Sequence, residues 1–310
     1  MTQATNQSST LEASLSTSLG VVIFEVILGS LSNGFMVIVN LLDFASTGTL
    51  GPCDSILVCL GLSRFVFLWL LAMTYIFPML LKDLASVYLP QIMYAFLFFS
   101  NASLWFATWL CVFYCVHIVN GSCCCLVFLK RYFDRSLPLL FIVSAGVSLI
   151  FSLPSVYDCF KDVNIPGGSG DSAPLQFSST NIGPIILISV LGNLFPFLIF
   201  CAAAWLVIVS LWKHTRKMKS QERTSFKEPS VDGLYKALRT IVQFFFFYSL
   251  YVVSFNLYIA GKSSPSIYIN CIYSLLIGAY PSMHSVLLIH QNNKLYQAFT
   301  GMWQKMTSFK

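Results

Sequence analysis

Charge is what this sequence is short of. Only 10% of its 310 residues are Asp, Glu, Lys or Arg, against about 25% in a soluble globular domain. Together with 56% hydrophobic residues and 28 phenylalanines, that deficit excludes an ordinary water-soluble domain and points to a chain dissolved in lipid. Carboxylates are scarcest of all inside the apolar stretches, where Glu25 is the one clear example. A transporter that couples its cargo to ions through buried acids lacks the groups for it, and no internal repeat is visible. The first 18 residues contain no Lys or Arg and no apolar run. They therefore lack the basic and apolar regions of a cleaved signal peptide, and the first apolar stretch is expected to act as an uncleaved signal anchor. The ten cysteines show no metal spacing. There is no His-Glu-x-x-His, Walker loop or Gly-rich nucleotide turn. His117, His214, His284 and His290 are spread over three stretches, toward their cytosolic ends. The sequence predicts no enzyme, no metal site and no cofactor.

What is present is seven long apolar stretches, at about 19–42, 55–81, 87–119, 138–158, 181–212, 236–261 and 267–289. Each has about 20 residues or more, enough to cross roughly 30 Å of hydrocarbon. Lipid satisfies no backbone hydrogen bond, so each must be a helix. The predicted fold class is an all-α membrane protein, a seven-transmembrane helix bundle over 19–289. An extracellular tail (1–18) precedes it and a cytosolic tail (290–310) follows it. Seven spans without a repeat favour a receptor over a transporter.

Orientation follows from the basic residues. With the N-terminus outside, the inner loops and tail hold Lys130, Arg131, Arg135, Lys213, Arg216, Lys217, Lys219, Arg223, Lys227, Lys236, Arg239, Lys294, Lys305 and Lys310. The outer segments hold only Lys82, Lys161 and Lys262. The net charge of +6 thus belongs to a cytosolic face, not to nucleic-acid binding. One inner loop breaks the pattern: residues 43–54 carry Asp43 and Asp54 and no base. Cys123, Cys124 and Cys125 lie at the inner end of span 3, as palmitoylation sites or as plain packing.

Arg64 stands alone in the apolar run "LGLSRFVFLWLL" (60–71). It lies nine residues into span 2, roughly 14 Å from its inner end, and span 1 brings Asn33 to a similar depth. Intramembrane charges face the bundle and find partners. Arg64 is therefore expected to bond Asn33 and polar or backbone groups of helix 7, tying helices 1, 2 and 7 together. Ligand contact is disfavoured by its depth, and a switching role is the alternative. Glu25, about a turn nearer the outside, is the weaker candidate partner.

Six motifs in order resemble one family. They are "NGFMVIVN" (33–40), "LGLSRFVFLW" (60–69), "LWFATWLCVFYCVHI" (104–118), "VSLWKHTRKM" (209–218), "KALRT" (236–240) and "HSVLLIHQNNKL" (284–295). Together they are similar to the vertebrate bitter taste receptors, the type 2 taste receptor family of G-protein-coupled receptors. There are departures. His117 stands where a lysine is usual, and the histidine before Lys-Ala-Leu is replaced. The second outer loop has no Asn-x-Ser/Thr sequon, though Asn6 has one. No cysteine at the outer end of span 3 can pair with Cys159, so the disulfide usual in seven-helix receptors is missing.

The resemblance implies a ligand pocket open to the outside between helices 2, 3, 5, 6 and 7. Carried across motif by motif, its positions are Tyr75, Phe96, Ser100 (with Asn101 beside it), Ser189, Gly192, Asn193, Tyr251, Ser254, Tyr258, Ser274 and Ile277. None is charged, which implies neutral, largely apolar bitter ligands. The same resemblance makes Asn33, Arg64, Tyr114, Tyr251, His284 and Ser285 structural or switch residues. It implies coupling to a heterotrimeric G protein of the gustducin or Gi type through His117, Lys130, Arg131, His214, Arg216 and Lys217. Membrane lipids are the remaining partner, with the plasma membrane as the location. A pheromone-type seven-helix receptor is the main alternative, a small-molecule transporter the lesser one.

Overall fold

The computed structural model describes residues 2–80, 82–118, 124–160, 182–221, 230–260 and 267–308. Among them it forms eight α-helices and no strand. These are α1 (Thr2–Thr47), α2 (Pro52–Leu80), α3 (Lys82–Ile118), α4 (Cys124–Phe160), α5 (Ile182–Gln221), α6 (Ser230–Ala260), α7 (Ile267–Gln291) and α8 (Asn293–Ser308). The first seven each contain a stretch long and apolar enough to cross a membrane, the fourth running Arg131–Leu153.

The helix ends are written in the sequence. Gly48 has φ +71°, and its N–H donates to the Phe44 carbonyl at 2.8 Å. This left-handed residue closes α1. Pro52 then opens α2, where its missing N–H costs nothing. Both terminal segments are helical. Residues 2–18 continue α1 as helix, and most of 290–310 forms α8. Asn292 caps α8, its side-chain oxygen accepting from the N–H of Lys294 at 3.0 Å and of Leu295 at 3.2 Å.

α3 is the central helix, packing on α2, α4, α5 and α6, while α1 packs on α2 and α7. Many large apolar residues point outward, among them Leu31, Ile142, Leu198, Trp205 and Phe246. In lipid such faces are expected, and helix association rests instead on close packing and interhelical hydrogen bonds. α1 and α7 show the close packing. A Cβ built on Gly278 would overlap the end of the Glu25 side chain, so a larger residue there requires that side chain to move. The same contact turns Glu25 toward α7, and no ion pair joins it to Arg64.

The hydrogen bonds are few and specific. Thr108 of α3 donates to the Pro196 carbonyl of α5 at 3.2 Å. Trp109 donates to Ser144 of α4 at 2.8 Å. Tyr248 of α6 donates to the Asn193 carbonyl of α5 at 3.0 Å.

Candidate functional site: an aromatic and hydroxyl cluster in the outer half

Three hydroxyl pairs hold the cluster together. The Tyr75 hydroxyl of α2 is hydrogen-bonded to Ser274 of α7 and to Tyr258 of α6. The Ser100 hydroxyl of α3 is bonded to Tyr251 of α6. Rings fill the space between. Phe96 stacks on Phe67 at 4.8 Å and lies 6.0 Å from Phe255. Tyr251 stacks on Phe255 at 5.8 Å and meets the edge of Phe67. Ser254 and Ile277 are buried beside them. Asn193 is buried, and its side-chain oxygen has no hydrogen-bond partner. None of these residues is charged, so the cluster itself offers stacking faces and hydroxyls.

The sequence-derived positions divide unequally. Tyr75, Phe96, Ser100, Tyr251, Tyr258 and Ser274 come together directly. Asn101 is only half-buried beside the inward-facing Ser100, and Ser189 is half-buried on α5. Gly192 departs from expectation. A Cβ there would meet Phe151 of α4 at 3.1 Å, so this position faces α4 and not the space between α3 and α6. The helix is apolar all round, and the sequence pattern leaves its rotation undetermined.

Below the cluster the rings continue. Tyr251 lies 5.6 Å from Tyr280 of α7. Tyr280 stacks on His284 at 6.3 Å, and His284 sits 5.4 Å from Phe244 of α6. Here the sequence reading missed a feature. A narrow gap of about 10 Å³ lies between α3, α5, α6 and α7. Cys111, Tyr114, Phe200, Thr240, Phe244 and His284 are among its walls. Beneath it, Thr240 of α6 is hydrogen-bonded to Gln291 of α7, which is bonded in turn to Gln243. This clasp joins the inner ends of the two helices.

Arg64 has one direct partner where two were expected. Its Nη1 donates to Ser285 Oγ of α7 at 3.1 Å. Asn33 enters one step later: Ser285 Oγ donates to Asn33 Oδ1 at 2.7 Å, and Asn33 Nδ2 donates to the Pro281 carbonyl at 3.1 Å. The guanidinium also lies over the Tyr280 ring, 4.8 Å from its centre. Helices 1, 2 and 7 are thus joined through the Ser285 hydroxyl and not by a direct bond between Arg64 and Asn33.

At the inner face, Lys294 of α8 pairs with Asp43 at 2.6 Å and Asp54 at 2.8 Å. The loop that carried two acids and no base therefore takes its base from α8. Partial burial disfavours the charged amine, but the hydrogen bonds and charges of both carboxylates outweigh it and hold the Lys294 amine above its usual range. His117 is exposed at the end of α3, its ring 4.1 Å from Phe113. Arg131 lies over the Tyr132 ring at 5.9 Å. The side chains of Asn6, Lys130, His214, Arg216 and Lys217 fall outside the described residues.

The bundle and its motifs have counterparts in known proteins. The family described as "Taste receptor protein (TAS2R)" matches residues 11–307. The chain belongs to the type 2 taste receptor family. It is 31% identical to human taste receptor type 2 member 2, over 89% of this chain and 91% of that one. It is 32% identical to mouse member 13 over 91% of this chain and 93% of that one. Chicken member 40 is 28% identical over 93% and 94%. The protein is accordingly a multi-pass membrane receptor of the bitter-taste, G-protein-coupled type.

Proposed function

We propose that this receptor detects neutral, ring-containing bitter molecules at the outer-half cluster and passes the signal to a gustducin- or Gi-type heterotrimeric G protein. The observation that carries the reading is the uncharged set of rings and hydroxyls at Tyr75, Phe96, Ser100, Tyr251, Tyr258 and Ser274. A neutral ligand stacks on such faces and exchanges hydroxyl bonds at little cost, whereas an ionic ligand leaves its charge unpaired in a dry site. The receptor sits in the plasma membrane with its N-terminus outside and Asn6 glycosylated, as the basic inner loops favour.

In this reading ligand binding breaks the Ser100–Tyr251 or Tyr75–Ser274 bond and moves Tyr251. The rings of Tyr280, His284 and Phe244 carry that movement toward the Thr240–Gln291 clasp. Opening of the clasp frees the inner end of α6. The basic inner segment around His214, Arg216 and Lys217, with His117, Lys130 and Arg131, then meets the G protein. A ligand shifts such an equilibrium only by its differential affinity for the two states. Calcium mobilisation tests the reading, in cells expressing the chain with a gustducin-type α-subunit. Responses to neutral bitter compounds are expected. Verified surface receptor that stays silent to a broad neutral panel but answers strongly ionic ones would overturn it.

A further inference from the structure

We propose that Arg64, with Tyr280 and His284, forms an internal binding site for a small monovalent anion of the size and charge of chloride. Among the described residues, no carboxylate pairs with the Arg64 charge. Arg64 is 0% exposed, and a guanidinium stays charged in any protein environment. One donor, on Nη1, reaches Ser285. The face of the group is covered by Tyr280. The buried Nε and Nη2 have no acceptor. These two nitrogens form one edge of the guanidinium, and their parallel N–H bonds make the fork that arginine presents to anions.

No carboxylate fills that fork. The ion pairs among the described residues are those of Lys294 with Asp43 and Asp54. Glu25 packs against Gly278, two residues before Tyr280, and makes no ion pair with Arg64. Its Oε2 is itself buried without a partner.

The surroundings choose the sign and size of the occupant. The Tyr280 hydroxyl and both His284 ring nitrogens are also buried without partners, on adjacent turns of α7. Each ring brings one O–H or N–H donor. A cluster with one fixed positive charge, surplus donors and no fixed negative charge selects an anion over a cation. Water can satisfy donors, but it cannot offset the charge. Full burial of Arg64 disfavours a divalent or polyatomic anion, which is harder to dehydrate.

The test is the thermal stability of the purified full-length receptor at fixed ionic strength, with chloride exchanged stepwise for gluconate. Chloride that binds only the folded state multiplies the folded-to-unfolded ratio by one plus its concentration over its dissociation constant. Well above that constant, each tenfold increase in chloride raises the ratio about tenfold. Bromide should substitute and sulfate should not. Tyr280→Phe removes one donor and keeps the ring over Arg64, so it should move the chloride midpoint several-fold higher. Arg64→Lys keeps the charge but loses the fork, and should flatten the dependence. Lys294→Gln, at a remote cation, should leave it unchanged. Identical stability in chloride and gluconate overturns the proposal in favour of water alone. A chloride effect that survives unaltered in Tyr280→Phe also overturns it, whether or not Arg64→Lys folds.

Discussion

Gly278→Ala is the sharpest perturbation the packing offers. The added methyl lands inside the Glu25 carboxyl group, with Oε2, Cδ and Oε1 as its three nearest atoms. The carboxyl group has little freedom to retreat, because Glu25 is only 6% exposed. The main chain there is also held, since Ser282 donates to the Glu25 carbonyl at 3.1 Å. Overpacking of this kind costs about 1–3 kcal/mol, and the Glu25 carboxyl must swing aside or helix 1 must lift from helix 7 to relieve it. Glu25→Ala alone loses that packing but also removes a buried oxygen without a partner, a group worth about 1–3 kcal/mol in the opposite sense. Its net effect should be small. The double variant should recover most of the loss, because the new methyl then occupies the space the carboxyl left. The measurement is a double-mutant cycle on heat inactivation of the solubilised receptor, read beside surface expression. A coupling energy of about 1–3 kcal/mol is expected. Gly278→Ala as stable as wild type would refute the reasoning. So would a double variant whose loss is the plain sum of the singles.

Four other outcomes follow from the geometry. Arg64→Ala removes a charged hydrogen bond worth about 1.5–3 kcal/mol and should lower folded surface receptor and weaken every agonist; a loss confined to one ligand would argue for ligand contact instead. Gln291→Leu opens the Thr240–Gln291–Gln243 clasp and should raise basal signalling at matched surface level; unchanged basal activity would remove the clasp from the switch. Phe96→Ala and Tyr258→Ala should each cost about 1–3 kcal/mol of agonist binding, a 5- to 150-fold rise in EC50, while Tyr251→Ala should cut the maximal response; flat curves across several agonists would displace the site. Lys294→Gln should cost about 0.5–1 kcal/mol, since the pair is partly exposed. The Lys294 amine is held above its usual value, so its contribution is complete below roughly pH 10.4 and fades only as pH climbs past the raised value. Alkaline titration of the α8 contact checks the sign.

The spans were legible because hydrocarbon thickness and backbone satisfaction leave a chain no alternative. α8 escaped the same reasoning. It has 16 residues, too few to span, and only its start at Asn292 and the spacing of Leu295, Phe299, Met302, Trp303 and Met306 betray an amphipathic helix. Leu295 is fully buried, and the Phe299 ring meets Phe35 of α1 at 6.0 Å. Depth counting at 1.5 Å per residue brought Arg64, Asn33 and helix 7 to one level. It carries no angular information, however, so it could not show that Ser285 stands between the other two. Rotation likewise decided Gly192. The pairing of Lys294 with Asp43 joins residues 251 apart, which no local pattern encodes.

The motifs that carried the family resemblance have a common physical role. Asn33, Arg64 and Ser285 belong to three of them and form one hydrogen-bonded chain. Thr108 and Trp109 belong to the helix 3 motif and tie α3 to α5 and α4. Thr240 ends the helix 6 motif, and Gln291 and Lys294 lie in the last one. In lipid, an apolar face is attracted as well to acyl chains as to another helix, so polar ties must choose which helices meet. Residues bound to such ties cannot be exchanged without stranding a buried partner. Tyr75, Phe96 and Ser100 lie between the motifs, although Tyr75 and Ser100 also tie helices together, to Ser274 of α7 and Tyr251 of α6. This is why the sequence names the family readily and the ligand hardly at all: the motifs hold framework residues bound to one another, and none of them contains Tyr75, Phe96 or Ser100.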